Sequence, residues 1–218
     1  MTRHGFALFD TAIGRCAIAW GEGGLVGVKL PERSDAAMRA RMARQHPEAR
    51  ETAPPQEIEA AIANIRRLLD GHKQDLSRID LDMSAVPDFE QRVYVETRSI
   101  PPGETLTYGD IATRLGDVGL SRAVGQALGR NPFAIVVPCH RVLAAGGKSG
   151  GFSAVGGVDT KRRLLEIEGA RDLHPTLPWD LTSGLACVDA VGHVVSDSNR
   201  PDSHPGPRRR PQHKRAVE

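Results

Sequence analysis

Three residues that can do chemistry together stand side by side in this chain: Cys139, His140 and Arg141. They follow an apolar run that ends at Pro138. Because proline has no amide donor, it is disfavoured in a central strand, so we expect any strand formed by the run to end there. Neighbouring basic groups favour the thiolate, the nucleophilic form of cysteine. We therefore predict a nucleophilic Cys139 with His140 as its base. A buried structural thiol is the alternative, because free cysteines are among the most buried side chains.

A histidine base needs an orienting partner of its own, usually a carboxylate or a carbonyl. Three acidic residues lie in the last helix that is predicted after the triplet: Asp159, Glu166 and Glu168. Spacing alone leaves the choice among these three open.

The elements that must position this triplet begin with short strands. Residues from Phe6 to Leu30 alternate weakly and are punctuated by glycines, which predicts two or three strands with tight turns. Residues 34–46 and 56–70 have helical character, and the second segment carries an apolar stripe at helical spacing. Strands followed by helices indicate a small α+β domain over residues 1–85.

A second, mostly helical domain is predicted over the next half of the chain. A helix is expected to begin at Asp88, with Gln91 in the capping-box position. Two short helices, one after Thr107 and one after Ser121, are joined by the turn GDVG, which makes a helix-turn-helix candidate. A last helix is expected over about 159–168, and this domain covers residues 86–170.

Residues 171–218 have a different composition, with scattered prolines and no apolar periodicity, which is typical of a disordered tail. The tail ends in the basic cluster RRRPQHKR, Arg208 to Arg215, which could touch phosphates without sequence specificity. A solvated tail with no role is the alternative.

Composition restricts the location of the protein. No apolar run approaches the roughly 20 residues that span a bilayer, and 39% hydrophobic with 26% charged residues is ordinary for a soluble chain. The first residues show no secretory signal. Cys16, Cys139 and Cys187 have unrelated spacings, which argues against a disulfide framework and favours the cytoplasm. A net charge of +2 is too small to indicate a polyanionic partner by itself.

The segment PCHRV, Pro138 to Val142, follows Asn131-Pro132 and the helix-turn-helix pattern, and in this order it resembles the active-site region of the O6-alkylguanine-DNA alkyltransferases. These are the methylated-DNA–protein-cysteine methyltransferases. The likeness runs from about Phe89 to Gly169, through IPPGETLTYGDIA, SRAVGQALGRNP, PCHRV and LLEIEG.

The resemblance implies an α+β fold, with a ribonuclease-H-like N-terminal domain before the helix-turn-helix domain. It also implies a cytoplasmic monomer that acts on double-stranded DNA containing O6-alkylguanine. The protein would flip the damaged base out of the duplex and transfer the alkyl group irreversibly to its own cysteine in a single turnover. No cofactor and no membrane would be needed.

The resemblance assigns catalytic roles to four residues. Cys139 accepts the alkyl carbon, His140 acts as base through a water, Glu168 orients that histidine, and Tyr108 donates a hydrogen bond to the guanine as negative charge builds on it. A half-buried core tyrosine is the alternative for Tyr108.

Two further sets of residues follow from the resemblance. The substrate-binding residues are Asn131, Val142, Phe152 and Ser153. The DNA-binding residues are Thr107, Arg122, Ala123, Gly125 and Arg130, and Arg122 would fill the place that the flipped nucleotide leaves in the stack. A simple Asn-Pro turn and an exposed arginine at a helix start are the alternatives for Asn131 and Arg122.

The loop after the cysteine departs from the family pattern. Phe152 stands where a tyrosine is expected, and Ala154 and Val155 are inserted between Ser153 and the glycine pair. Some relatives hold zinc in the first domain, but His4, Cys16 and His46 are too few for a structural site of four ligands, so no metal is expected.

Two other classes of protein compete with DNA repair. An alkyltransferase-like lesion sensor, or a helix-turn-helix regulator, would bind DNA without taking the alkyl group, but the retained Cys139 argues against it. A thiol hydrolase or redox enzyme using Cys139 and His140 would leave the helix-turn-helix unexplained.

Overall fold

The structure is a computed structural model, and it describes residues 4–170. The predicted tail over 171–218 lies outside the described residues. The helices and strands below follow in chain order.

The N-terminal part forms a four-stranded sheet with the strand order β3-β2-β1-β4. Strands β1 (Gly5–Thr11), β2 (Gly14–Gly21) and β3 (Gly24–Lys29) are antiparallel neighbours, and β4 (Arg50–Glu51) pairs in parallel with β1. The first three confirm the strands predicted between Phe6 and Leu30. Strand β4 was not predicted, because two residues are too few to show any alternation.

Two helices cover opposite faces of this sheet, α1 (Asp35–Gln45) and α2 (Gln56–Leu69). Side chains alternate between the faces of a strand, so successive residues of β1 and β2 enter different cores. Phe6, Ala17 and Ala19 pack with Met38 and Met42 of α1. The opposite face belongs to the main core with α2, and its members are Phe9, Cys16, Ile18, Trp20, Ile58, Ile62 and Ile65.

The rest of the described chain is mostly helical. It contains helices α3 (Asp88–Arg98), α4 (Tyr108–Arg114), α5 (Ser121–Gly129) and α6 (Gly157–Ile167), and the short parallel strands β5 (Leu106–Thr107) and β6 (Val142–Leu143). The structure therefore confirms a mixed α+β protein with strands and helices at the N-terminus.

The start of α4 was predicted correctly. Thr107 and Asp110 form a reciprocal capping box, in which each side chain accepts a hydrogen bond from the other residue's backbone amide. The capping positions expected for α3 and α5 were wrong by one residue, because Asp88 and Ser121 are the first residues of their helices and not the residues before them. Gln91 donates instead to the carbonyl groups of Met83 and Val86, before the helix.

One strand of the sheet holds the segment that leads to the cysteine. The Val28 amide donates to the Pro132 carbonyl at 2.9 Å, and the Ala134 amide donates to the Val28 carbonyl at 3.2 Å. The main core continues across this junction and includes Tyr94, whose hydroxyl donates to the Ala127 carbonyl at 3.0 Å. The predicted domain boundary near residue 85 stays a prediction. Within residues 4–170, no helix is long and apolar enough to cross a membrane.

Candidate active site

The segment before the cysteine consists of tight turns. Ile135 has a φ of 72°, and the Val136 amide donates to the Ala134 carbonyl at 2.9 Å, two residues back. A second hydrogen bond between residues two apart surrounds Pro138, where the Cys139 amide donates to the Val137 carbonyl at 2.8 Å. A positive φ is costly for a β-branched residue, so the surrounding core must impose it. The sequence does not indicate this strain, since isoleucine is a common strand residue.

Asn131 fastens these turns. Its side-chain amide donates to the Val137 carbonyl at 2.9 Å, and its side-chain oxygen accepts from the Phe133 amide at 2.9 Å. The Asn131 side chain also forms a hydrogen bond that favours the ionised form of Cys139. Through these contacts Asn131 joins the end of α5 to the cysteine segment.

Cys139 opens a single 3₁₀ turn, Cys139–Arg141, and is only half-buried. Burial nevertheless raises the pKa of the thiol, and the Asn131 side chain and the charge of Lys161 only partly oppose this effect. The expectation that neighbouring basic groups stabilise a resting thiolate was therefore wrong. The physical reason is that the side chains of His140 and Arg141 point to a carboxylate and not to the sulfur.

That carboxylate belongs to Glu168, at the C-terminal cap of α6. Its Oε1 lies 2.9 Å from Nε2 of His140, and Arg141 donates to both carboxylate oxygens at 2.8 Å. Arg141 also donates to the Ile100 carbonyl at 2.5 Å. His140 is 1% exposed, Arg141 5% and Glu168 8%, so the network is shielded from bulk solvent. The sequence left Glu166, Glu168 and Asp159 open, and the structure brings Glu168 to the histidine.

The protonation state of this network follows from its charges. Burial opposes ionisation of Glu168, but the hydrogen bond from His140 and the hydrogen bonds and charge of Arg141 outweigh burial and hold its pKa at about 2. Burial lowers the pKa of His140 more than the hydrogen bond and charge of Glu168 raise it, and the charges of Arg141 and Lys161 add to the lowering. His140 is therefore neutral, and the permanent charge of Arg141 is the one that keeps Glu168 ionised.

A neutral histidine beside an ionised carboxylate has a defined tautomer. Glu168 can only accept, so the hydrogen must sit on Nε2 of His140, which leaves Nδ1 with a lone pair. Nδ1 is buried and has no hydrogen-bond partner among residues 4–170. A buried polar atom without a partner is rare and calls for a functional explanation.

Lys161, in α6, is a site residue that the sequence analysis missed. It is fully buried, it donates to the Val142 carbonyl at 2.6 Å, and its Nζ lies 5.8 Å from the centroid of the Tyr108 ring. Burial lowers its pKa to about 8, and its charge favours ionisation of Cys139. One signal could have revealed it, because Lys161 lies three and four residues before the buried pair Leu164 and Leu165, on the inward stripe of the helix.

A cavity of about 620 Å³ opens beside the cysteine, within the size range of small-molecule sites. It brings together six of the residues that the resemblance assigned. They are Tyr108, Arg122, Gly125, Cys139, Phe152 and Ser153. Burial raises the pKa of the Tyr108 hydroxyl, so that group is a donor at neutral pH.

Seven of the assigned residues lie outside the wall of this cavity, and three of them are the Asn131, His140 and Glu168 described above. Val142 is fully buried in β6. Thr107 caps α4, and Ala123 lies in the first turn of α5. Arg130, at the end of α5, forms an ion pair with Glu90 at 2.6 Å.

Comparison with known proteins places these residues in a family. The family model for the DNA-binding domain of 6-O-methylguanine DNA methyltransferase matches residues 88–170. A methylated-DNA–protein-cysteine methyltransferase from Mycobacterium tuberculosis is 42% identical over 131 residues, which are 60% of this chain and 74% of that protein. This chain belongs to the methylated-DNA–protein-cysteine methyltransferase family. The family resemblance of the PCHRV segment is thereby confirmed.

Two further relatives agree with this assignment. The methyltransferase of the same name from Methanothermobacter thermautotrophicus is 43% identical over 119 residues, 55% of this chain, but the match spans only 65% of the archaeal protein. The crystal structure of Mycobacterium tuberculosis OGT in complex with DNA has a TM-score of 0.61 at 35% identity, covering 77% of this chain and 96% of that one.

The N-terminal histidines and Cys16 are not gathered into a metal centre in the described part of the chain. Over residues 4–170, no group of three or more His, Cys, Asp or Glu side chains is arranged to hold an ion. Cys16 contacts the Thr11 hydroxyl at 3.7 Å, and burial raises the pKa of its thiol to about 11.

Proposed function

We propose that this protein repairs DNA by transferring the alkyl group from O6 of guanine to Sγ of its own Cys139. The observation that carries the proposal is the half-buried cysteine on the wall of a cavity of about 620 Å³, directly before a buried histidine with a free lone pair. Membership of a family named for this reaction supports it.

His140 takes the thiol proton in this mechanism, through Nδ1 and by way of a water. Because burial keeps the resting thiol protonated, the base has a proton to remove before the sulfur can attack. As His140 gains charge, the ionised Glu168 that holds its Nε2–H stabilises the imidazolium. Lys161 stabilises the thiolate that forms.

The leaving guanine is the second place where charge develops. Sγ forms a bond to the alkyl carbon while the bond from that carbon to O6 breaks, and the electron pair passes to the purine. Tyr108 and Ser153 line the same cavity and can donate hydroxyl hydrogen bonds to the purine as it leaves. Phe152 offers a ring face but no hydroxyl. A thioether is stable, so each molecule acts once, and no cofactor takes part.

The substrate is double-stranded DNA, read through a helix-turn-helix formed by α4 and α5. The exposed Arg122 lies in the first turn of α5 and also lines the cavity, so one side chain can enter the base stack while the base enters the site. Ala123 and Thr107, at the starts of the two helices, would approach the backbone. Arg130 would contribute less, because Glu90 already neutralises it.

The glycines of α5 support a close approach of DNA to this helix. Each glycine costs a helix about 1 kcal/mol relative to alanine, so an internal reason would normally be expected. A Cβ on Gly125 would meet only the Tyr108 ring, at an ordinary 3.8 Å, and one on Gly129 would meet nothing within 4 Å in the described structure. The protein interior does not require these glycines, whereas a nucleic-acid backbone lying against the helix would.

The proposal also covers the two domains of the protein and their folds. The strand order β3-β2-β1-β4, with only β4 parallel to its neighbour, supports a ribonuclease-H-like N-terminal domain over residues 1–85. Residues 86–170 would then form the DNA-binding and transfer domain, and the protein would act as a cytoplasmic monomer.

The test is to incubate the protein with a duplex containing O6-methylguanine and to weigh the intact protein. We expect the gain of one methyl group per molecule, on the peptide that contains Cys139. The variant Cys139→Ala should gain nothing yet still bind the duplex, whereas Cys16→Ala should gain the full methyl group, because Cys16 is buried with a pKa of about 11. Binding without any mass gain would instead establish a lesion sensor.

A further inference from the structure

One polar side chain on the wall of the large cavity has no part in the proposed transfer. Gln126 lies in α5 four residues after Arg122, so the two side chains share one face of the helix. Gln126 is exposed and lines the large cavity together with Arg122. Its side-chain amide has no hydrogen-bond partner within residues 4–170. This amide is therefore available to a substrate that lies against the helix.

The rest of the exposed face of α5 offers few groups that could bind. The Ser121 hydroxyl is already used, because it donates to the Val118 carbonyl at 2.6 Å. The other residues of the helix that are not buried have no polar side chain, and they are Ala123, Gly125 and Gly129. Arg122 and Gln126 are thus the two side chains of α5 that can reach a nucleic acid with hydrogen-bonding groups.

The small residues of this face indicate which groove of the DNA the helix can enter. A helix with its side chains is about 10–12 Å across, which matches the roughly 12 Å width of the major groove. The minor groove is only about 6 Å wide, so it suits a helix face that is almost free of side chains. With glycine at residues 125 and 129, α5 presents such a face, and Gln126 would then meet the minor-groove edges of the bases.

The minor-groove edges differ in one respect that a glutamine can detect. A G·C pair shows acceptors and the N2 amino donor of guanine, whereas an A·T pair shows acceptors alone. The glutamine amide carries both a donor and an acceptor. Against guanine its NH₂ group can donate to N3 while its oxygen accepts from the N2 amino group. Against an A·T pair the oxygen has no partner.

The reach of Gln126 places it close to the damaged base. Four residues of helix span about 6 Å, and stacked bases are about 3.4 Å apart. When Arg122 fills the place of the extruded base, the backbone of Gln126 is therefore at most about two base steps away. The length of the glutamine side chain then brings its amide to the pair that flanks the lesion.

We propose that Gln126 is a specificity-determining residue that binds the minor-groove edge of a base pair next to the lesion. The protein would then repair O6-alkylguanine beside a G·C pair faster than beside an A·T pair. This inference rests on the proposed alkyl transfer from duplex DNA. It adds a preference for the sequence around the lesion, which neither Cys139 nor the cavity for the purine would produce.

The experiment varies one flanking pair in a duplex that contains O6-methylguanine, first on one side of the lesion and then on the other. The pairs are G·C, A·T, inosine·C, in which the N2 amino group is missing, and 2,6-diaminopurine·T, in which it is added to an A·T pair. The intact mass of the protein gives the second-order rate constant of single-turnover transfer.

A variant provides the baseline, because the neighbouring pair also changes the stability of the duplex. Gln126→Met keeps a side chain of similar length but removes its hydrogen bonds. For each protein, the rate for a given pair is divided by the rate for A·T. Dividing the wild-type ratio by the ratio of Gln126→Met then cancels both duplex stability and any general change in activity.

We expect the corrected ratio for G·C to be about fivefold or more on at least one side of the lesion, which is the lower end for a side chain that forms two hydrogen bonds with a base. Diaminopurine·T should behave like G·C, and inosine·C like A·T. Gln56→Ala removes an exposed glutamine at the start of α2, outside the cavity, so it should keep the wild-type ratios.

Two results would overturn the inference while leaving methyl transfer intact. One is a corrected ratio near one on both sides of the lesion. The other is an inosine·C pair that is as favourable as G·C, since the amino group would then not be read. Failure of the wild type to take the methyl group from any of these duplexes would instead refute the proposed function, and the inference with it.

Discussion

Replacing Glu168 with glutamine tests the buried network that holds the histidine. The change preserves the shape of the side chain but removes the negative charge opposite Arg141, whose guanidinium is almost fully buried. Breaking a buried ion pair by removing one partner typically costs about 3–5 kcal/mol, because the other charge stays behind uncompensated.

The pKa of Glu168 gives an independent magnitude. Its pKa falls from an ordinary 4.5 to about 2 in the folded protein, and each unit corresponds to about 1.36 kcal/mol. Ionised Glu168 therefore contributes about 3 kcal/mol to the free energy of unfolding. A depressed pKa gives stability that is fully present above the unfolded-state value, so this contribution should disappear as the pH falls from about 4.5 to about 2.

The assay is urea unfolding of the wild type and Glu168→Gln at neutral pH and again near pH 3. At neutral pH we expect the free energy of unfolding of the variant to be about 3 kcal/mol lower than that of the wild type. In thermal unfolding this corresponds to a Tm about 6–12 °C lower for a chain of this length. Near pH 3 the difference should shrink. Glu166→Gln, an exposed change two residues away on the same helix, should cost almost nothing. A loss below about 1 kcal/mol, or an equal loss at both pH values, would refute the reasoning.

Three other substitutions test separate features of the site. Lys161→Met removes the cation that favours the Cys139 thiolate, so single-turnover transfer should slow about tenfold at neutral pH and recover at higher pH; an equal loss across the pH profile would contradict this. Ile135→Gly should unfold at higher urea than Ile135→Ala, by about 1 kcal/mol, because both lose the side chain but only glycine tolerates a φ of 72° without strain; the usual order, with alanine more stable, would count against strain at this residue. Arg122→Ala should slow transfer from duplex DNA roughly tenfold or more while duplex affinity changes little, and an unaltered duplex rate would remove the arginine from base extrusion.

The sequence by itself determined the family, and it predicted the nucleophile and the base. Cys139, His140 and the residues around them are contiguous, so their chemistry shows in a single short motif. Helices α2 and α4 could also be predicted from the sequence. Helix α2 carries a complete apolar stripe, and the capping box of Thr107 and Asp110 at α4 depends only on neighbours in the chain.

Short elements and ionisation states could not be predicted in this way. Strands β4, β5 and β6 are two residues long, and their pairing depends on partners elsewhere in the chain. The protonation of Cys139 was expected wrongly, because adjacency in sequence does not say which way a side chain points. His140 and Arg141 lie beside the cysteine, yet both bond to a carboxylate that follows 27 residues after Arg141.

Only the tertiary structure decided which charges meet. It selected Glu168 from three acidic residues and placed Lys161 where its charge acts on the sulfur. Each of these depends on distance and burial across elements far apart in the chain. Charge interactions weaken with separation and strengthen where water is excluded, so they are fixed only when the fold sets both.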